Sequence, residues 1–222
     1  MAGEGKRKRL VVYDLDGTLV DTREDIAASA NHLRRRMGLK PLPDQLICGY
    51  VGLGLKKLVE NVLGTEEEHR LEEGMRIYRA FYAEHMLDNT VLYPGAREVL
   101  EHFRPRVQAV ITNKPNPYSR QILEALGVAG YFVEIVAGDS GYAKKPDPAS
   151  LRAILERERV APEEALFVGD SPVDVATGLS AGVMTVAVTH GFSERKELEE
   201  SGPAALVADL REFLERARRE AW

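Results

Sequence analysis

The stretch Leu10-Val11-Val12-Tyr13-Asp14-Leu15-Asp16-Gly17-Thr18 decides the fold. Its four leading apolar residues read as a buried strand. Two carboxylates follow at the carboxyl end, and Gly17 then lets the chain turn sharply. In open α/β sheets ligands bind in the crevice beyond the carboxyl ends of the strands, so Asp14 and Asp16 stand where chemistry is expected. If the extended conformation persists, alternation sends both to the same side. Like charges that close resist joint ionisation, so one should hold a proton unless a cation offsets the pair. A divalent metal removes that penalty for one carboxylate and leaves the other free to act as an acid.

Outward from this stretch, further apolar runs recur between helix-like segments: Val107 to Ile111, Phe132 to Val136, Ala165 to Val168 and Met184 to Val188. They predict the buried strands of a parallel sheet. Ala96 to Phe103, Tyr118 to Leu126, Ala149 to Glu158 and Val173 to Ala181 carry helical periodicity, with Gly127 and Gly182 placed as C-terminal stops. The fold class is therefore α/β, a doubly wound parallel sheet.

One region breaks the alternation. From Thr22 to about Asp88 there are helix signals and no convincing strand, which predicts an inserted all-helical lobe. Thr22 with Asp25 resembles a capping box, and Ile26, Ala30, Leu33 and Met37 follow on one face before Gly38. Leu71, Met75, Tyr78, Tyr82 and His85 mark a second amphipathic helix, and on that stripe Tyr78, Tyr82 and His85 read as core. The expected division is a core of residues 1–20 and 89–222 with an inserted lobe of residues 21–88, hinged near Val20-Asp21 and Thr90-Val91.

An isolated Asp-x-Asp would read as a turn. Here three further polar signals each follow another predicted strand and so share its crevice. In Thr112-Asn113-Lys114 a hydroxyl and an amide can donate to phosphate oxygens. In Lys144-Lys145-Pro146-Asp147-Pro148 the prolines constrain the backbone and one lysine can lie against the carboxylates. In Gly169-Asp170-Ser171-Pro172-Val173-Asp174, Asp170 is the strand-end carboxylate placed to complete a metal site, and Asp174 stands where a helix begins. Oxygen-only ligands, without a thiolate or histidine pair nearby, suit magnesium.

Bulk properties set the limits. The chain has 222 residues, 44% apolar and 29% charged, the balance of an ordinary globular protein. A net charge of -5 without long blocks of one sign outside the first ten residues argues against nucleic acid as a partner. No apolar run is long enough to span a membrane, and the start lacks the apolar segment of a secretory signal, so the expected location is cytoplasmic. Cys48 is the only cysteine and reads as a small buried hydrophobe. Lys6-Arg7-Lys8-Arg9 reads as a solvated tail before the first strand, and Glu212 to Trp222 as an amphipathic surface helix.

In order, Asp14-x-Asp16-Gly17-Thr18, Thr112, Lys145 and Gly169-Asp170 with Asp174 resemble the motifs of the haloacid dehalogenase (HAD) superfamily, and they span nearly the whole core. The insert after the first motif looks like that superfamily's helical cap. Within the superfamily, Val110 to Pro115, Ala137-Gly138-Asp139, Lys144 to Pro148 and Phe167 to Ser171 are similar to phosphoglycolate phosphatases. The insert departs from that subgroup, with Gly52-Leu53-Gly54 where Gly-Asn-Gly is frequent and no arginine near Asn61. A carboxylate on the substrate would need a basic or amide partner from the cap; Lys56 or Lys57 could serve, against a solvated helix face for both.

The resemblance implies Mg2+-dependent hydrolysis of a small phosphate monoester, such as 2-phosphoglycolate, through an aspartyl-phosphate on Asp14. It further implies that Asp16 is acid and then base, and that Mg2+ is held by the Asp14 and Asp170 carboxylates and the Asp16 carbonyl. Lys145 would add a second cation, Thr112 would hydrogen-bond the transferred oxygens, and Asp174 would orient Lys145 or a metal-bound water. An aspartate at position 16 argues against dehalogenation, since a halide needs no proton to leave. A phosphosugar mutase is the nearest enzymatic alternative. A phosphoacceptor signalling domain uses a similar set of groups but needs only about half this length and no helical insert.

Overall fold

The computed structural model describes residues 7–222. Strands β1 (Leu10–Tyr13), β4 (Val107–Ile111), β5 (Glu134–Val136), β6 (Ala165–Gly169), β7 (Met184–Val188) and β8 (Ala205–Val207) form one parallel sheet in the order β5-β4-β1-β6-β7-β8. β1 is central, pairing with β4 on one side and β6 on the other. Its alternation divides the core in two. Val11 and Tyr13 face one layer with Val110, Leu166 and Val168, while Leu10 and Val12 face the other with Ala109, Ala165 and Phe167. A strand buried on both faces has no polar side to show, which is why it reads as a continuous apolar run.

Helices α5 (Ala96–His102), α6 (Tyr118–Ala125), α7 (Ala149–Glu158), α8 (Pro172–Ala181), α9 (Arg195–Ser201) and α10 (Leu210–Arg219) connect or cover these strands. Gly182 closes α8 in the left-handed region at φ 72°, where a side chain would be strained. Two strands differ from expectation. β5 begins at Glu134, because a 3-10 turn over Ala129–Tyr131 precedes it and Val133 donates to the Gln108 carbonyl outside the ladder. β8 is a three-residue edge strand too short to stand out from its surroundings. The C-terminal helix is more buried than a surface helix: Phe213 is fully buried and Trp222 packs 6.0 Å from it. Of the basic tail, Lys6 lies outside the described residues; Lys8 is buried, its ammonium donating to the Glu163 carbonyl rather than facing water.

Between β1 and β4 the chain leaves the sheet. A short antiparallel pair, β2 (Val20–Asp21) and β3 (Val91–Leu92), brackets the excursion. Inside it lie only helices: α1 (Arg23–Arg36), α2 (Asp44–Cys48), α3 (Leu55–Leu63) and α4 (Glu68–His85). Ile26, Ala30 and Leu33 of α1 pack against Leu71, Tyr78 and Tyr82 of α4 in one apolar layer. Cys48 is buried and unpaired, and burial pushes its thiol up to about 11. Among the described residues no helix is long and apolar enough to cross a membrane.

Asp25, in the first turn of α1, is tied to the returning chain. Its carboxylate accepts from the backbone N–H and side-chain amide of Asn89 and from the N–H and hydroxyl of Thr90, at 2.7 to 3.1 Å. The expected Thr22–Asp25 capping box is therefore absent. Thr22 stands at the N-cap position, but its hydroxyl makes no capping bond and turns to Asp16 instead.

Candidate active site

β1 and β6 deliver Asp14 and Asp170 side by side at their carboxyl ends. The Asp14 N–H still donates to the Val168 carbonyl at 2.9 Å, so strand pairing fixes its position. Lys145 Nζ lies 2.8 Å from Asp14 Oδ1 and 2.6 Å from Asp174 Oδ1, with all three side chains buried. The contact with Asp14 is an ion pair rather than an aligned hydrogen bond, leaving Asp14 Oδ1 buried without a hydrogen-bond partner. Burial pushes the Asp14 carboxyl up to about 7 against the pull of Lys145, with Asp174 and Asp16 adding to the rise. Burial also works to lower Lys145, but Asp14 and Asp174 outweigh it and hold the ammonium above its ordinary range.

Asp174 earns its burial twice: besides Lys145, its other oxygen accepts from the Ser171 N–H and hydroxyl, closing a capping box at the start of α8. Asp170 is held by the Thr18 hydroxyl at 2.9 Å and by the Phe192 N–H at 2.8 Å. Burial, then the charges of Asp174 and Asp14, raise its carboxyl well above the ordinary range. Glycines flank it closely. A Cβ at Gly17 (φ +83°) or at Gly191 would fall 2.2 Å from an Asp170 oxygen, so neither position has room for a side chain.

Asp14, Asp170 and Asp174 present carboxylate oxygens within 4.8 Å of one another, all buried. Three clustered acids with one ammonium against two of them leave an excess of negative charge, and Asp14 and Asp170 respond with raised proton affinity. A hard divalent cation offsets that excess, and an oxygen-only donor set suits one. The residues fit such an ion.

Asp16 sits apart from this cluster. Its Oδ1 accepts from the Thr22 hydroxyl at 2.8 Å, and Lys114 Nζ lies 2.9 and 3.2 Å from its two oxygens. Thr112 is buried, and its hydroxyl accepts the Lys114 N–H at 3.1 Å, which leaves the hydroxyl proton free to donate. Asn113 does not offer its amide to a ligand. Nδ2 donates to the carbonyls of Gly52 (2.7 Å) and Lys145 (2.9 Å), and Oδ1 accepts the Lys145 N–H, so it supports the Lys145 loop and ties it to the helical insert. Lys144 is exposed and Lys145 buried.

Asp14, Asp16, Thr112, Asn113, Lys114 and Asp170 line a cavity of about 70 Å³, walled by the insert through Ile26, Gly54, Leu55, Leu58, Tyr78 and Tyr82. Lys56 and Lys57 are outside it, paired on the surface with Glu68 and Glu60. Tyr78 and Tyr82 are buried in the core as expected and also line the cavity, because a buried cavity wall and a core face carry the same apolar period. His85 is neither: half-exposed, it stacks on Phe81 and pairs with Asp88. Lys114, Thr18 and the Gly191-Phe192 turn are contributors that residue-by-residue reading did not single out. Only Thr18 and Lys114 carried a signal, each being adjacent to a site residue.

A family model described as haloacid dehalogenase-like hydrolase matches residues 11–188. The chain is 35% identical over 219 residues to a phosphoglycolate phosphatase of Pseudomonas fluorescens, covering 95% of this chain and 80% of the relative. It is 32% identical over 216 residues to one from Vibrio parahaemolyticus, covering 93% and 95%. A crystal structure of a predicted phosphoglycolate phosphatase from Haemophilus somnus superposes with a TM-score of 0.90 at 29% identity, covering 95% and 98% of the two chains.

Proposed function

The chain belongs to the haloacid dehalogenase-like hydrolases and is a phosphoric monoester hydrolase, and from that premise we propose that it hydrolyses 2-phosphoglycolate or a close analogue, with magnesium, through a phosphoryl group carried on Asp14. The observation that carries the reading is Asp14 Oδ1: a buried carboxylate oxygen with no hydrogen-bond partner, beside a lysine ammonium, on a residue that lines the cavity. Phosphate monoesters are among the slowest bonds to hydrolyse in water, so a two-step route through a nucleophile divides a barrier that no single group lowers enough.

In the first step an Asp14 oxygen attacks phosphorus in line, and the bond from phosphorus to the ester oxygen breaks with its electron pair on that oxygen. Asp16 protonates the departing alkoxide. In the second step Asp16 takes a proton from water as the water attacks phosphorus, releasing inorganic phosphate and restoring the Asp14 carboxylate. Lys145 stabilises charge at the phosphoryl oxygens, Thr112 donates to one of them, and Asp174 keeps Lys145 in place. Magnesium would be held by the Asp14 and Asp170 carboxylates and the Asp16 carbonyl. It would offset charge on the nucleophile and the phosphoryl group.

Residues 21–88 act in this reading as a cap over residues 1–20 and 89–222, excluding water from the first step and selecting the leaving group. Location in the cytoplasm is part of the same reading. The test is phosphate release from 2-phosphoglycolate and neutral esters with magnesium or EDTA. Magnesium-dependent release is expected. Release unaffected by chelation would remove the metal from the account, and turnover confined to sugar bisphosphates would favour a mutase.

A further inference from the structure

One end of the cavity is built for a phosphoryl group, around Asp14, Lys145 and Asp170. The other end has chemistry that phosphoryl transfer leaves unused. There Lys114 Nζ rests against Asp16 and 4.7 Å from the centre of the Tyr82 ring, its side chain only 6% exposed. Lys114 is the cation that lines the cavity; Lys145, beneath it, is committed to Asp14 and Asp174. Tyr82 lines the same wall, is 1% exposed, and its hydroxyl has no hydrogen-bond partner. A buried donor without an acceptor is costly, and such a group has a place where a ligand supplies the acceptor.

We propose that Lys114 and Tyr82 form a carboxylate subsite, which receives an anionic group carried one carbon beyond the ester oxygen of the substrate. The positions follow from Asp16. The group that protonates the leaving oxygen must lie within a hydrogen bond of it, and Lys114 Nζ lies within a hydrogen bond of that group. A carboxylate one carbon from the leaving oxygen is therefore within reach of Lys114. Charge points the same way. A second anion entering a cavity that already presents Asp14, Asp16 and Asp170 is repelled by all three, and Lys114 is what offsets that repulsion. The two halves come from different parts of the chain, Lys114 from the loop after β4 and Tyr82 from α4, so the carboxylate would also bridge the insert to the sheet.

The inference rests on the phosphoglycolate reading and names the residues that make it. It is tested by comparing 2-phosphoglycolate with ethyl phosphate, which has a methyl group in place of the carboxylate. The wild type should favour 2-phosphoglycolate in kcat/KM by about 100-fold, the worth of charge-assisted hydrogen bonds in a buried site. Lys114→Gln should cut that preference by about 10-fold or more, Tyr82→Phe by a smaller factor, and Lys114→Arg should retain most of it. Equal losses on both substrates in Lys114→Gln would mean that Lys114 acts only through Asp16, and would overturn the subsite. So would a wild type indifferent to the carboxylate. If neither ester is hydrolysed the phosphatase reading fails by itself, and calorimetry then decides the subsite. Tighter binding of 2-phosphoglycolate than of ethyl phosphate, weakened by Lys114→Gln, upholds it; equal binding overturns it.

Discussion

Two lysines adjoin in sequence and differ in everything else. Lys145 is buried between Asp14 and Asp174, while Lys144 is exposed. Lys145→Ala should therefore lower phosphate release by about 100-fold or more, as removal of a preorganised charge-stabilising group does. Lys144→Ala should stay within about twofold, the range of surface substitutions; steady-state assays that reversed this order would refute the assignment. Asp170 provides a second residue-scale test. Gly191→Ala would drive a methyl group to 2.2 Å from its carboxylate, so activity should recover only at higher magnesium than the wild type needs. A magnesium titration superposing on that of the wild type would show that Asp170 tolerates the displacement.

At the scale of elements, the join between helical insert and sheet hangs on Asp25, a buried carboxylate with donors from Asn89 and Thr90 converging on it. Asp25→Ala strands those donors and should destabilise the fold by about 3 kcal/mol, read as a lower denaturation midpoint with the slope unchanged. An unchanged midpoint would mean that water replaces the carboxylate. The same region shows what sequence patterns convey and what they miss. β1, β4, β6 and β7 were legible because a strand buried on both faces must be apolar throughout. That Asp14, Asp16, Asp170 and Lys145 lie together was legible because each aspartate follows such a strand and Lys145 sits in a loop that two prolines constrain. The Thr22 hydroxyl was misread: local spacing favours a helix cap, but a buried carboxylate six residues earlier competes for the same donor and wins. Tyr78 and Tyr82 are core as their period predicts, but that they also wall the cavity was not legible, because periodicity reports burial and does not report what the buried face covers. Asn113 was assigned to a ligand because its amide partners, the carbonyls of Gly52 and Lys145, are distant in sequence.

For the whole molecule, the excess of buried negative charge links stability to pH and to metal. The Asp14 carboxyl rises from an ordinary 3.8 to about 7, so across that interval the folded chain keeps a proton that the unfolded chain has released. Folding then takes up protons, and stability of the metal-free protein falls as pH rises from about 4 through 7. Asp170, raised for the same reason, adds in the same direction. Magnesium should reverse the trend, raising Tm more at pH 7.5 than at pH 5 because a cation competes with those protons. Thermal melts in EDTA that rise across this interval, or a magnesium effect independent of pH, would contradict the linkage.

The claim on which the mechanism depends is that Asp14 carries the phosphoryl group. Acid quenching of the enzyme during turnover of radiolabelled phosphate ester with magnesium, followed by peptide mapping, reads it directly. The label should appear on the peptide containing Asp14 and vanish, together with phosphate release, in Asp14→Asn. Undiminished phosphate release from Asp14→Asn, or label on a peptide without Asp14, would contradict it.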